Sequence, residues 1–197
     1  MATDTLPCPP SASDEQLLRC FAAGDRGALE ELFRRYRQPA YRVAYRLLGN
    51  EADALDADQD GFVKALTHLQ SFQGRSSFKT WLLRVVSNAS LDLGRQRGRR
   101  DVLRLDMAQN HDDPDNSLTT ADETTRGLER HDLRMHLEAA LARLSAAHRQ
   151  TFVLHAEAEL SYREVADALG ISIGTVMSRL FYARQKLREY LSERKAR

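Results

Sequence analysis

The sequence predicts an all-α protein of two small helical domains joined by a flexible acidic linker. Three observations carry this: apolar residues recur at spacings of three and four, no segment alternates like a strand, and a polar, turn-rich stretch separates two periodic blocks. A chain of 197 residues is long enough for two such domains.

Residues 1–13, with Pro7, Pro9 and Pro10 among Ser, Thr and Ala, read as a disordered leader. The first domain is expected over 14–100. There Leu17/Leu18, Phe21, Leu29, Leu32/Phe33 and Tyr36, then Tyr41, Val43/Ala44 and Leu47/Leu48, follow the helical period. Gly24, Pro39, Gly49 and Gly74 are expected to divide it into about four helices. Residues 101–132 lose the period and include Asn110-His-Asp-Asp-Pro-Asp-Asn116, which reads as a flexible linker. The period resumes from Leu133 through Leu137, Leu141 and Leu144 to Leu191, giving a second domain over 133–197.

Composition, at 42% hydrophobic and 29% charged, fits a soluble helical protein. Apolar runs such as Trp81-Leu82-Leu83 fall far short of the roughly 18 residues of a membrane span. Met1 to Asp14 has neither the basic start nor the apolar core of a secretory signal, so the cytoplasm is expected and no membrane partner. Cys8 and Cys20 form no CxxC and are expected to be free thiols. No P-loop, supported Ser/His/Asp set or histidine cluster appears, so no enzymatic activity is expected and no cofactor for chemistry. The net charge of +1 hides segregation. Residues 17–100 carry 15 Lys/Arg against 9 Asp/Glu, 101–132 carry 3 against 9, and 133–197 carry 11 against 7. Two basic blocks flanking an acidic one suit two nucleic-acid-facing modules.

In the second block, Ser161-Tyr-Arg-Glu164 has the form of a capping box, opening a helix that buries Val165, Ala166 and Leu169 and stops at Gly170. After Ile171 and Ser172, a second helix from about Gly174 turns Val176, Leu180 and Ala183 inward. Helix, short Gly-containing turn, helix is the helix-turn-helix pattern, whose second helix enters the DNA major groove. Thr175, Ser178, Arg179 and Tyr182 lie off its apolar stripe, with Arg184, Lys186 and Arg188 beyond. Hydroxyls suit phosphates, and arginine can bridge guanine N7 and O6.

Gly174-Thr175-Val176-Met177-Ser178-Arg179-Leu180, with Ala183-Arg184 and Leu187, closely resembles the final helix of sigma factor domain four. Leu144 to Arg149, and Leu160 through Ala166, resemble its lead-in. Met177 stands where that family usually has a base. Phe72-Gln-Gly74-Arg-Ser-Ser-Phe78-Lys-Thr80-Trp81-Leu82-Leu83-Arg84-Val85, continued by Asn88, Asp92 and Arg95, resembles domain two of the extracytoplasmic-function (ECF) sigma factors.

This resemblance implies a transcription-initiation factor that binds core RNA polymerase and promoter DNA, with an anti-sigma factor as a further possible partner. Domain four would read the −35 element through Thr175, Ser178, Arg179, Tyr182, Arg184 and Lys186. Domain two would read and open the −10 element through Phe72, Lys79, Arg84, Asn88 and Arg95, with Arg97, Arg99 and Arg100 adding charge. The family positions matching Phe72 and Asn88 border the pocket for a flipped base. Trp81 and Phe78 are expected to be core, given their spacing with Leu82 and Val85.

The slot of the family's polymerase-binding helix reads Asp56-Ala57-Asp58-Gln59-Asp60-Gly61-Phe62, with Asp56, Gln59 and Phe62 as the expected polymerase contacts. Asp58 and Gly61 replace apolar residues there. The same string matches the front of an EF-hand loop, in which Asp56, Asp58, Asp60 and the carbonyl of Phe62 would hold Ca2+, although Thr67 stands where its closing glutamate belongs. Two readings therefore stand for this segment: a calcium-regulated loop, or a sigma helix with a solvated acidic face. For the whole chain, two alternatives to a sigma factor stay open, a helix-turn-helix activator that does not join the polymerase and an EF-hand-like calcium sensor.

Overall fold

A computed structural model describes residue 9 and residues 11–107 and 135–195, with the side chains of 70, 100–107 and 193–195 excepted. The described residues form eight α-helices and a short 3₁₀ turn: α1 (Asp14–Ala22), α2 (Arg26–Leu48), α3 (Glu51–His68), the turn (Leu69–Ser71), α4 (Phe78–Met107), α5 (135–142), α6 (Ala146–Ala156), α7 (Tyr162–Leu169) and α8 (Ile173–Lys195). Among these residues none is in a strand, and no helix is long and apolar enough to cross a membrane.

Local chemistry sets most of the helix ends. Ser13 and Gln16 close a capping box on α1, so the end of the expected leader is ordered, with Ala12 buried at 5% exposure. Asp25 caps α2 and Asn50 caps α3 through backbone N–H groups. Gly49 ends α2 in the left-handed region at φ 80°, where a glycine avoids the Cβ clash. Pro39, expected as a break, lies inside α2, which runs on to Leu48. Only one intrahelical hydrogen bond is lost there, and the turns beyond it bury Ala40, Val43, Ala44 and Leu47. Cys20 is disulfide-bonded rather than the free thiol expected; Cys8 lies outside the described residues.

Helices α2, α3 and α4 pack on one another, and α1 lies against α2. The inner face of α3 is made of small residues, Ala54, Ala57, Gly61 and Ala65, all buried, with Asp58 among them. At Gly61 the approach to α4 is closest: a Cβ there would lie 2.8 Å from Val86 Cγ2 and 3.0 Å from Val86 Cα. An aromatic cluster closes one end of this bundle. Phe33 meets Phe62 edge-on at 5.1 Å between centroids, and Phe78 touches Phe33, Tyr36, Phe72 and Trp81. Phe78 is core, as expected, and Trp81 packs partly buried against it.

The two helical groups pack directly on each other. One contiguous apolar core includes Leu82, Leu83 and Val86 of α4 together with Val153, Leu154, Leu160, Val165, Val176 and Leu180. A smaller cluster, Ala140, Leu141 and Leu144 with Ala183 and Leu187, holds α5 to α8. Helix α4 continues to Met107, past the expected start of the linker at residue 101; residues 108–132 of that linker lie outside the described residues.

The Gly61 contact yields a first prediction. Alanine is the better helix former by about 1 kcal/mol, yet Gly61→Ala is expected to destabilise the protein by about 1–3 kcal/mol, because Val86 and its backbone must move. Thermal unfolding followed by circular dichroism checks this. A raised midpoint would show that α3 and α4 are not so closely apposed.

Candidate nucleic-acid interface

The helix-turn-helix forms as the residue pattern requires. Ser161 Oγ accepts from Glu164 N at 3.3 Å, and Glu164 Oε2 accepts from Ser161 N at 2.9 Å. Gly170 turns the chain at φ 65°. Ser172 then caps α8 by accepting from Thr175 N at 3.0 Å. Val176, Leu180 and Ala183 face the core, leaving Thr175, Ser178, Arg179, Tyr182 and Lys186 within about 100° of helix surface. Ser178 donates its hydroxyl to Thr175 O, and Lys186 pairs with Glu189 at 2.9 Å. Arg184, expected on this face, is five residues from Arg179 and falls about 140° around the helix. Ile173 and Phe181, not expected at the surface, are exposed beside Met177, which stands where the family usually has Lys or Arg; Phe181 is exposed at 65%. Their four-residue spacing beside the buried stripe was the available signal.

On α4, Ser77 supplies the cap, its Oγ accepting from Thr80 N at 3.1 Å. Arg84, Asn88, Arg95 and Arg99 are exposed and share one side of the helix by spacing. Asn88 Oδ1 accepts a hydrogen bond from Gln150 Nε2 at 3.0 Å, and Arg95 pairs with Asp92 at 3.0 Å. Phe72 is half-buried and stacks at a tilt on Trp81, 5.3 Å between centroids. Two expected members of the cationic face stand elsewhere. Lys79 lies about 140° around the helix from Arg84. Arg97 is engaged by Asp53 and reaches Asp56 at 3.5 Å. The side chain of Arg100 lies outside the described residues.

The acidic segment is helical throughout, within α3. The expected calcium loop is therefore not formed, and its carboxylates diverge. Asp56 faces Arg97, Asp60 pairs with Lys64 at 2.7 Å, and Asp58 points inward at 8% exposure. Among the described residues no three His, Cys, Asp or Glu side chains gather in a way that could hold a metal ion. The residues present do not fit an EF-hand. The physical reason is packing: Asp58 and Gly61 lie on the face α3 must bury, so the helix persists despite their poor propensity.

Of the expected polymerase contacts, Gln59 and Asp56 are exposed, whereas Phe62 is half-buried against Phe33. Leu55, Val63 and Leu66 are exposed at 51%, 54% and 48% and line up with Gln59 along the outer face of α3.

A helix-turn-helix coupled to a second basic, aromatic-flanked helix defines a DNA-binding transcription protein. The comparisons narrow this: residues 32–100 match Sigma-70 region 2 and residues 134–187 match Sigma-70 region 4. The chain is 30% identical over 176 residues to the ECF RNA polymerase sigma factor SigW of Bacillus subtilis, covering 86% of this chain and 92% of that protein. It is 32% identical to the RNA polymerase sigma factor YlaC of the same organism, over 85% of this chain and 94% of that protein. Against the ECF RNA polymerase sigma factor SigE of Mycolicibacterium smegmatis it is 36% identical over 87% of this chain but spans 66% of that relative's length. Among solved structures, CnrH in complex with the cytosolic domain of CnrY has a TM-score of 0.67 at 27% identity, covering 92% of this chain and 99% of that one. The sigma factor RpoE bound to the anti-sigma factor NepR from Bartonella quintana has a TM-score of 0.63 at 27% identity, covering 83% of this chain and 96% of that one. The chain belongs to the ECF group of the sigma-70 family of RNA polymerase sigma factors. Such proteins are transcription-initiation factors rather than enzymes.

Asp58 supplies the second prediction. Burial pushes its carboxyl up to about 6, partly offset by the Arg37 cation. The native state then keeps this proton to higher pH than the unfolded chain, whose aspartate ionises near 3.9. Between pH 4 and 6 the unfolded state gains charge first, and stability falls; above pH 6 the loss is constant. Asp58→Asn is expected to raise stability by about 2 kcal/mol at pH 7.5 and to have no such effect at pH 4. Thermal melts at the two pH values would refute burial of an ionised Asp58 if the gain were equal in both.

Proposed function

We propose that this chain gives RNA polymerase its promoter specificity, acting in the cytoplasm, with all bond chemistry left to the polymerase. The observation that carries the reading is the pairing of two outward faces on one chain. These are the Arg84–Asn88–Arg95–Arg99 side of α4 beside the Phe72–Trp81 pair, and the Thr175–Ser178–Arg179–Tyr182 side of α8. The first suits a single strand, with cations for phosphates and aromatic surface for an unstacked base. The second suits a duplex major groove at the −35 element. An anti-sigma factor is a further partner by analogy with the two solved relatives, one named as bound to the anti-sigma factor NepR and the other to the cytosolic domain of CnrY.

Core polymerase would dock on the outer face of α3. Exposed Leu55, Val63 and Leu66 supply apolar area there, Gln59 a hydrogen-bonding group, and Asp56 and Asp60 a negative border. Phe62 belongs to the domain core, so its truncation would test stability as much as docking. With the acidic segment held as a helix, polymerase contact is the role we assign it. Calcium titrated calorimetrically into the chain is expected to give no saturable heat, and transcription to be indifferent to chelator.

Two measurements test the reading. Leu55→Ala combined with Gln59→Ala and Val63→Ala is expected to weaken binding to immobilised core polymerase at least about tenfold while leaving the melting midpoint near that of the parent, since these side chains stand in solvent. Wild-type affinity would place the docking face elsewhere. On α8, Arg179→Ala is expected to cost about 1–3 kcal/mol on promoters with the cognate −35 element and little on scrambled ones, whereas Lys186→Ala weakens all sequences alike. Equal losses for Arg179→Ala on both templates would leave it a phosphate contact.

A further inference from the structure

We propose that Met177 and Phe181 are specificity-determining residues that recognise the C5-methyl groups of thymines in the −35 element, in addition to the contact assigned to Arg179. The proposal rests on α8 being the duplex-facing helix, as read above.

The outward side of α8 is led by apolar side chains. At 100° per residue the buried stripe of Val176, Leu180, Ala183 and Leu187 covers about 60° of the helix, and Ser178 stands almost opposite its middle. Phe181 and Tyr182 flank Ser178 at about 60° on one side and about 40° on the other. Met177 lies one turn before Phe181 on the same shoulder, while Thr175, Arg179 and Lys186 form the opposite shoulder. Met177 and Tyr182 are exposed at 55% and 56%, close to Phe181, whereas Arg179 is half-buried. Phe181 is also held in place. Its ring meets Tyr182 edge-on at 5.8 Å between centroids, and Tyr182 meets His148 of α6 in the same way at 6.2 Å. His148 Nδ1 in turn shares a 2.6 Å hydrogen bond with Ser145 Oγ. Beside Met177, exposed Gly174 leaves a gap. A Cβ there would meet only Ser172 Oγ, at an ordinary 3.8 Å, so nothing within the protein calls for a glycine. The missing side chain instead lets a ligand come close to the start of the helix.

The surrounding charge identifies that ligand. Residues 173–189 carry Arg179, Arg184, Lys186 and Arg188 against a single acid, Glu189. An apolar shoulder framed by cations fits a major groove, where phosphates line the rim and the thymine methyl is the apolar group on the floor. Every other base edge there is polar. Set against Met177 or Phe181, it would give up water without gaining a hydrogen-bond partner, so the wrong base is penalised as well as unrewarded. Lys or Arg, usual in the family at the place of Met177, suits guanine; methionine suits a methyl.

The experiment uses holoenzyme assembled from the full chain and core polymerase, with a promoter duplex taken from a mapped transcription start site. Thymines of its −35 element are replaced one at a time by deoxyuridine, which removes the methyl and leaves base pairing intact. Binding is read by fluorescence anisotropy. At least one replacement is expected to weaken the wild type about fourfold, the worth of one buried methyl. Met177→Ala with Phe181→Ala should bind the two duplexes alike, and should keep its helical circular dichroism because both side chains stand in solvent. If it does not fold, Met177→Gln with Phe181→Gln takes its place with the same expected outcome. Lys186→Ala should weaken both duplexes equally and preserve the fourfold ratio. A −35 element without A·T pairs, uridine bound as tightly as thymine at every position, or a ratio unchanged in the double variant would overturn the proposal. In that event Arg179→Ala and Lys186→Ala separate the two readings. If they still weaken binding, α8 remains the duplex reader and only the methyl contact falls; if neither does, the reading of α8 falls with it.

Discussion

The close approach of α3 to α4 at Gly61 is the contact from which the rest of domain two follows. A face of alanines and one glycine lets the two backbones come together, and Val86 fills the space a side chain would need. Helix α4 is thereby held along its length: Arg97 ties its later turns to Asp53 and Asp56, and the Phe33–Phe62–Phe78 cluster holds its start. With that axis fixed, the side that Arg84, Asn88, Arg95 and Arg99 share by helical spacing is held in one orientation. The same packing determines the fate of Asp58. It is carried inward by its position on the buried face and retained at an electrostatic cost.

What was legible in the sequence was mostly local. The Ser161–Glu164 box, the Gly170 turn and the inward stripe Val176, Leu180 and Ala183 each involve residues three or four apart, and each formed as read. Errors arose where a local pattern admits two tertiary outcomes. Asp56-x-Asp58-x-Asp60-Gly61 is compatible with a loop or a helix, and the demand of α4 for a small-residue face decides it. Pro39 removes one hydrogen bond, a loss its helix absorbs because the turns that follow bury Ala40, Val43, Ala44 and Leu47. Lys79 and Arg84 look like neighbours in a basic run but stand far apart around the helix.

Long-range pairings left no trace in the sequence. Gln150 lies 63 residues from Ser87, and Glu157 lies 111 from Arg46. Nothing in the composition of either segment announces its partner. The basic surplus of residues 17–100 suggested a face devoted to nucleic acid, yet Arg42, Arg46 and Arg97 are spent on internal acids. Charge counts show how much cation a segment carries; only the fold shows which of it remains on the surface.

The continuous core described above bears on how such a protein could be recombined. A helix-turn-helix transplanted from a relative would arrive with its own versions of Leu154, Leu160 and Val165, shaped to a different α4, and with its own residue in place of Gln150. A chimaera that keeps every DNA-reading side chain of its donor still loses the packing between its halves. Exchangeability of promoter-reading modules in this architecture is thus bounded by side chains that never touch a promoter.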